Sequence, residues 1–74
     1  MQSAEAQSIG DRRRALGLSG VAVAEALGIN PVVYSRWERG RDAIPPARVP
    51  QLELLFAEYE AARERVRAGL ERSA

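Results

Sequence analysis

Cysteine, histidine and lysine are all missing from this 74-residue chain. Without cysteine there is no disulfide and no thiol nucleophile. Without histidine there is no imidazole base and no zinc cluster of the common types. Carboxylates are plentiful, but none is spaced with a second reactive group or a glycine-rich loop in a way that suggests catalysis. The expectation is therefore no enzyme, no metal, no cofactor and no small-molecule ligand. No apolar run reaches the length needed to cross a membrane, and the amino terminus lacks a signal-peptide pattern. These absences lead us to expect a cytoplasmic protein with no membrane partner. The length allows one small domain with a modest core.

Charge is nearly balanced overall, at +1, and the balance alone does not suggest nucleic acid. Its distribution says more. Residues 1–49 hold seven arginines against five acids, a balance of +2; residues 50–74 hold four against five, a balance of −1. All the basic residues are arginine. A GC-rich coding sequence explains that bias, and so does a need for bidentate contact to phosphate and guanine, which lysine cannot make. The first explanation carries more weight, so arginine usage is not itself a functional argument.

What the chain does have is a tightly punctuated stretch from Ser19 to Arg41. Ser19 is a good N-cap, and Val23, Ala24 and Leu27 give the following segment one apolar face. Gly28 stands where the chain must leave that helix. Asn30 caps a second helix, and Pro31 occupies its first turn, where a missing amide costs nothing. Tyr34 and Trp37, three apart, share a face, and Gly40 ends the helix. Two short helices around a glycine-containing turn describe either a helix-turn-helix or an ordinary helical hairpin. Ala24, small enough to let the helices cross closely, favours the first.

In these residues the sequence resembles the phage Cro and repressor type of helix-turn-helix, the xenobiotic-response-element family. Leu18-Ser19, Val23-Ala24, Leu27-Gly28 and Ser35-Arg36-Trp37-Glu38-Arg39-Gly40 carry the likeness, which runs from about Ile9 to about Leu55. Its most specific part is Trp37-Glu38-Arg39-Gly40, correctly spaced from Ala24 and Gly28. The resemblance implies an all-α, lambda-repressor-like fold that binds double-stranded DNA. Two positions depart from the pattern. The family often has a phosphate-binding glutamine where this chain has Gly20, and usually Ile or Val where it has Tyr34. The departures remove one expected phosphate contact and enlarge the core slightly.

The expected core covers residues 1–49, with helices over about 4–16, 20–27 and 31–39. In the first of these Ile9, Arg13 and Leu16 share a face, so Arg13 points inward and needs a carboxylate partner. The resemblance implies that this partner is Glu38; a solvated Arg13 is the alternative. Gly10 weakens the helix, and Gly17 stops it. After Gly40, three prolines between Pro45 and Pro50 forbid a regular helix and leave a loop with one turn starting at Pro46.

Residues 50–74 read as one long helix to about Arg72, rich in Ala, Glu, Arg and Leu. Leu52, Leu55, Tyr59, Ala62 and Val66 follow a heptad seam that Leu70 continues. Leu54 and Phe56 lie off it and are expected to pack back on the helix-turn-helix. At about 35 Å the helix is longer than so small a core requires. The seam is accordingly expected to make a homodimer; an amphipathic helix folded on its own domain is the alternative.

A recognition helix sets its amino-terminal residues against base edges. The face away from Tyr34 and Trp37 selects Pro31, Val32, Ser35 and Arg36 for base contact, with Arg36 the best candidate because guanidinium can bond guanine O6 and N7 together. Ser19, Asn30, Arg39, Gly40 and Arg41 are the candidates for backbone contact. A solvated surface charge is the alternative for each arginine. The leading expectation is a sequence-specific transcriptional regulator, a small phage-type repressor or autorepressor, binding a near-palindromic operator as a homodimer. The competing reading is an antitoxin-like protein-interaction module whose long helix binds another protein.

Overall fold

Helix boundaries follow the punctuation of the sequence closely. In the computed structural model, which describes residues 4–73, α1 spans Ala4–Ala15, α2 Gly20–Leu27, α3 Pro31–Glu38 and α4 Val49–Ser73, with one 3₁₀ turn at Pro46–Arg48. All regular structure among the described residues is helical. The Ser19 hydroxyl accepts the Ala22 amide at 3.0 Å, and the Asn30 side-chain oxygen accepts the Val32 amide at 2.8 Å. Each cap satisfies a donor that the first helical turn leaves open. Gly17, Gly28 and Gly40 sit at the helix exits with φ of 71°, 70° and 69°, a conformation that disfavours any Cβ.

One apolar cluster joins all four helices. Ile9, Val23, Ala24, Tyr34, Trp37, Ile44, Leu52 and Phe56 are buried, and Leu16, Leu18, Leu27, Ile29, Val49 and Leu55 pack at its edge. Ala24 is fully buried where α2 and α3 meet, and Tyr34 and Trp37 meet edge to face at 6.1 Å between ring centres. The Tyr34 ring faces Gly20 across the α2–α3 contact without needing the glycine for room. A methyl at Gly20 would come no nearer than 3.7 Å to Tyr34 Cδ2 and Cε2.

The long helix is continuous, and its inward face differs from the heptad seam. Leu52 and Phe56, four residues apart, are the fully buried pair. Leu52 therefore belongs to its own domain's core and is withdrawn from the dimer seam, and Leu55 packs largely against the same core. Phe56 packs inward as expected; Leu54 does not, with 62% of its surface exposed. The reason is geometric. At two residues from each, Leu54 is turned about 160° away from both Leu52 and Phe56 around the helix. Tyr59, Val66 and Leu70 are exposed beyond the core, with Ala62 half-buried among them and Leu16, just past the end of α1, at one edge of the same shallow groove. No helix among the described residues is long and apolar enough to cross a membrane.

Arginines bind the helices together from the sides. Arg12 donates from Nη1 to Glu53 at 2.6 Å and from Nη2 to Glu60 at 2.8 Å, while its guanidinium carbon lies 5.2 Å from the centre of the Phe56 ring. The Glu60 bond, then Glu53, raises the Arg12 pKa, and the same bond holds Glu60 below its usual range. Arg48 Nη1 donates to the Leu27 carbonyl at the end of α2, and Arg63 Nη1 to the Ala15 carbonyl at the end of α1. Both satisfy acceptors that a helix end leaves open.

Candidate nucleic-acid interface

The two faces of α3 have opposite characters. Tyr34 and Trp37 are buried on the inner face. Pro31, Val32, Val33 and Arg36 are exposed, and Ser35 is half-buried at the margin. Val32 is an apolar side chain left 66% exposed on the outer face. A cleft between the starts of α2 and α3 brings Ser19, Gly20, Pro31 and Ser35 together, with Arg13, Tyr34 and Glu38 also along its walls. The candidates from the helix starts thus share one surface, close to the amino-terminal turn that a recognition helix presents to bases.

Beneath that surface Arg13 and Glu38 set the angle between α1 and α3. Arg13 Nε donates to Glu38 Oε2 at 2.7 Å and Nη2 to Oε1 at 3.0 Å, a two-bond fork between planar groups. Its remaining Nη1 donates to the Leu18 carbonyl at 2.9 Å, tying the α1–α2 connection to the same guanidinium. Only 18% of the Arg13 side chain and 12% of the Glu38 side chain remain accessible. Burial acts to raise the Glu38 pKa, but the paired bonds it accepts from Arg13 and the positive charge beside it outweigh burial and hold the carboxyl below its ordinary range. Burial, and then the neighbouring Glu38 carboxylate, push the Tyr34 hydroxyl up; its oxygen is enclosed and makes no hydrogen bond.

Gly10 completes this arrangement, and sequence reasoning missed its role. It is buried, and a Cβ there would stand 3.2 Å from both Glu38 Oε1 and Arg14 Nη1. Its lack of a side chain lets the carboxylate approach α1. The signal was present in the sequence: Gly10 and Arg13, three apart in a helix, lie on one side of it.

The outward arginines differ among themselves. Arg36 Nε donates to Asp42 Oδ2 at 2.7 Å and its Nη2 lies 3.4 Å from Asp42 Oδ1. Arg39 and Arg41 are exposed, and their side chains have no partner among the described residues. Arg14 is spent on Asp11 one turn earlier. Gly40 presents exposed backbone at the helix exit, where its amide already bonds to the Trp37 carbonyl. Asp42 is the second residue that the sequence did not disclose, because its contact with Arg36 depends on the path of an irregular loop.

A helix-turn-helix family model of the Cro and C1 type matches residues 9–57, which span α1 from Ile9 through the first turns of α4. No curated protein and no solved structure matches the chain at a significant level. The match covers about two thirds of the chain and includes both short helices, their caps and the Arg13–Glu38 fork. The chain belongs to the Cro/C1-type helix-turn-helix family, and it is a DNA-binding regulator.

Proposed function

We propose that this chain is a small transcriptional repressor that binds a near-palindromic operator as a homodimer. The observation that carries the proposal is the division of α3: Tyr34 and Trp37 hold one face in the core, leaving Pro31, Val32, Ser35 and Arg36 outward. Arg36 reads a guanine, Val32 meets a thymine methyl, and Ser35 bonds a base or phosphate. Ser19, Asn30, Arg39, Gly40 and Arg41 position the backbone. Repression is by occupancy in the cytoplasm, in the manner of a phage-type repressor or autorepressor.

The second copy docks on α4. Tyr59, Val66 and Leu70 are exposed apolar side chains near one another on a solvent-facing side, and Ala62 and Leu16 extend the patch. A two-fold dimer presents two symmetry-related recognition helices, so half-site centres lie about 34 Å apart. That patch also favours a second reading, in which α4 binds a different protein in the way an antitoxin does. Selection of bound duplexes from a random pool tests both. A repeated, inverted motif at one-turn spacing supports the repressor reading; no enriched motif, with retained binding of another protein through α4, supports the second.

A further inference from the structure

We infer that Asp42 is a specificity-determining residue: it holds Arg36 so that the guanidinium reads guanine rather than gripping phosphate. The inference rests on the operator reading above. The contact is built from the backbone outward. Gly40, in the left-handed conformation, turns the chain back over the end of α3. The Arg41 amide donates to the Arg36 carbonyl at 2.9 Å, and the Asp42 amide approaches the same oxygen at 3.4 Å. Asp42 is thereby tied by its own main chain to the residue whose side chain it meets. Its carboxylate faces the Nε and Nη2 edge of Arg36, at 2.7 and 3.4 Å.

That geometry leaves one fork of the guanidinium. A carboxylate along the Nε and Nη2 edge leaves the end formed by Nη1 and Nη2, and this end matches guanine O6 and N7. The bound carboxylate also changes what Arg36 attracts. With Asp42 beside it, the pair is close to neutral at a distance and exerts little pull on phosphate. The short-range match to guanine remains. Arg39 and Arg41 have no such partner among the described residues and keep their full charge for the backbone. One loop thus sorts three neighbouring arginines into a base reader and two phosphate contacts. An isolated exposed pair has little reason to be retained for stability, and this one is exposed, at 53% for Arg36 and 44% for Asp42.

The test compares wild type, Asp42→Ala, Asp42→Asn and Arg36→Ala on the selected operator, on that operator with each guanine replaced in turn, and on random duplex. We expect wild type to discriminate at one guanine per half-site and Arg36→Ala to lose that preference. Asp42→Ala should lose at least about tenfold of the discrimination while binding random duplex as tightly as wild type or tighter. Asp42→Asn, which keeps an acceptor for Nε without the charge, should keep more of the preference than the alanine variant. Melting temperatures of the variants confirm that the fold is intact. Unchanged guanine preference in Asp42→Ala overturns the inference, and so does an equal loss of affinity on every duplex. A wild type with no preferred site overturns the operator reading together with this one, so the selection on wild type distinguishes the two failures.

Discussion

On the inner face of α3, Arg13 meets Glu38; on the outer face, Arg36 meets Asp42. The Nε-to-oxygen distance is 2.7 Å in both pairs, and both carboxylates face the same edge of their arginine. Their surroundings differ: the inner pair is mostly enclosed, while about half of the outer pair is in water. Distance therefore does not rank them. An enclosed ion that loses its partner has no solvent to replace it, whereas an exposed one is simply rehydrated. The inner pair is suited to fixing helix geometry and the outer pair to orienting a side chain that stays open to DNA.

The sharpest way to break this comparison is to remove one carboxylate from each side. Glu38→Ala should cost about 3 kcal/mol, because it leaves Arg13 enclosed and unpaired. For a domain of this size that is a fall of more than about 12 °C in melting temperature. Asp42→Ala should cost about 0–1 kcal/mol. Equal losses in chemical denaturation would refute the contrast. Acid gives a second view of the inner pair. The folded-state pKa of Glu38 is depressed, so its contribution is present above the ordinary carboxylate range and is lost as pH falls through the folded value. Glu38→Gln should flatten that part of the acid dependence; the part due to Glu60, held down by Arg12, should survive.

A similar division runs along α4. Leu52 and Phe56 are enclosed, while Tyr59, Val66 and Leu70 are not. Tyr59→Glu with Val66→Glu puts charge into the exposed patch and leaves the core and the recognition face untouched. If that patch holds the second copy, sedimentation at micromolar concentration should show a monomer, and operator affinity should fall by about 100-fold or more as the advantage of two linked modules is lost. A dimer that persists and binds normally would move the contact to the Ile44–Val49 loop or to α1.

Local chemistry was legible in the sequence, and long-range chemistry was legible only in part. Caps at Ser19 and Asn30 and exits at Gly17, Gly28 and Gly40 depend on a few neighbouring bonds, so residue type suffices to place them. The unbroken α4 followed from composition and the absence of proline after Pro50. Its inward face followed only in part: Phe56 was expected against the core, whereas Leu52 was placed on the seam and Leu54 in the core. A heptad seam and a single core-facing strip both begin at Leu52, and only the position of α1 decides between Leu55 and Phe56. Arg12 marks that choice by lying over Phe56 and bonding Glu53 and Glu60, seven residues apart on α4. Arg36 was legible as an outward arginine, but Asp42 was not legible as its partner. Helical periodicity has no reach across the left-handed turn at Gly40.

Gly10 offers a smaller test of the inner face. Alanine is a better helix former than glycine by about 0.8–1 kcal/mol. At Gly10 the added methyl must stand 3.2 Å from one oxygen of a carboxylate that two Arg13 bonds, one to each oxygen, hold in place. We expect Gly10→Ala to gain nothing and to lose about 1 kcal/mol in denaturation. Gly69→Ala, where a methyl meets nothing within 4 Å, should keep most of the helix-propensity gain. A Gly10→Ala protein more stable than wild type would mean that Glu38 can yield.

The smallest effect concerns Gly20, on the outward side. Here an added Cβ lies 3.7 Å from the Tyr34 ring, an ordinary contact, so a Cβ needs no shift of its neighbours. Gly20 opens α2 directly after the Ser19 cap, beside Pro31 and Ser35. In the family that this chain resembles, a glutamine at this position touches phosphate. Gly20→Gln should restore that bond, worth about 0.5–1.5 kcal/mol, or roughly 2- to 12-fold in affinity. Because the side chain is neutral and the contact is to backbone, operator and random duplex should gain by the same factor. The salt dependence should stay as it is, since no charge has been added. The same variant should fold at least as well as wild type, because glutamine is the better helix former. Quantitative binding on both duplexes at two salt concentrations, with a melting curve of the variant, reads all three expectations. A gain confined to the operator would place the introduced glutamine against a base, and no gain at all would place the start of α2 too far from the phosphate backbone for a side chain to bridge.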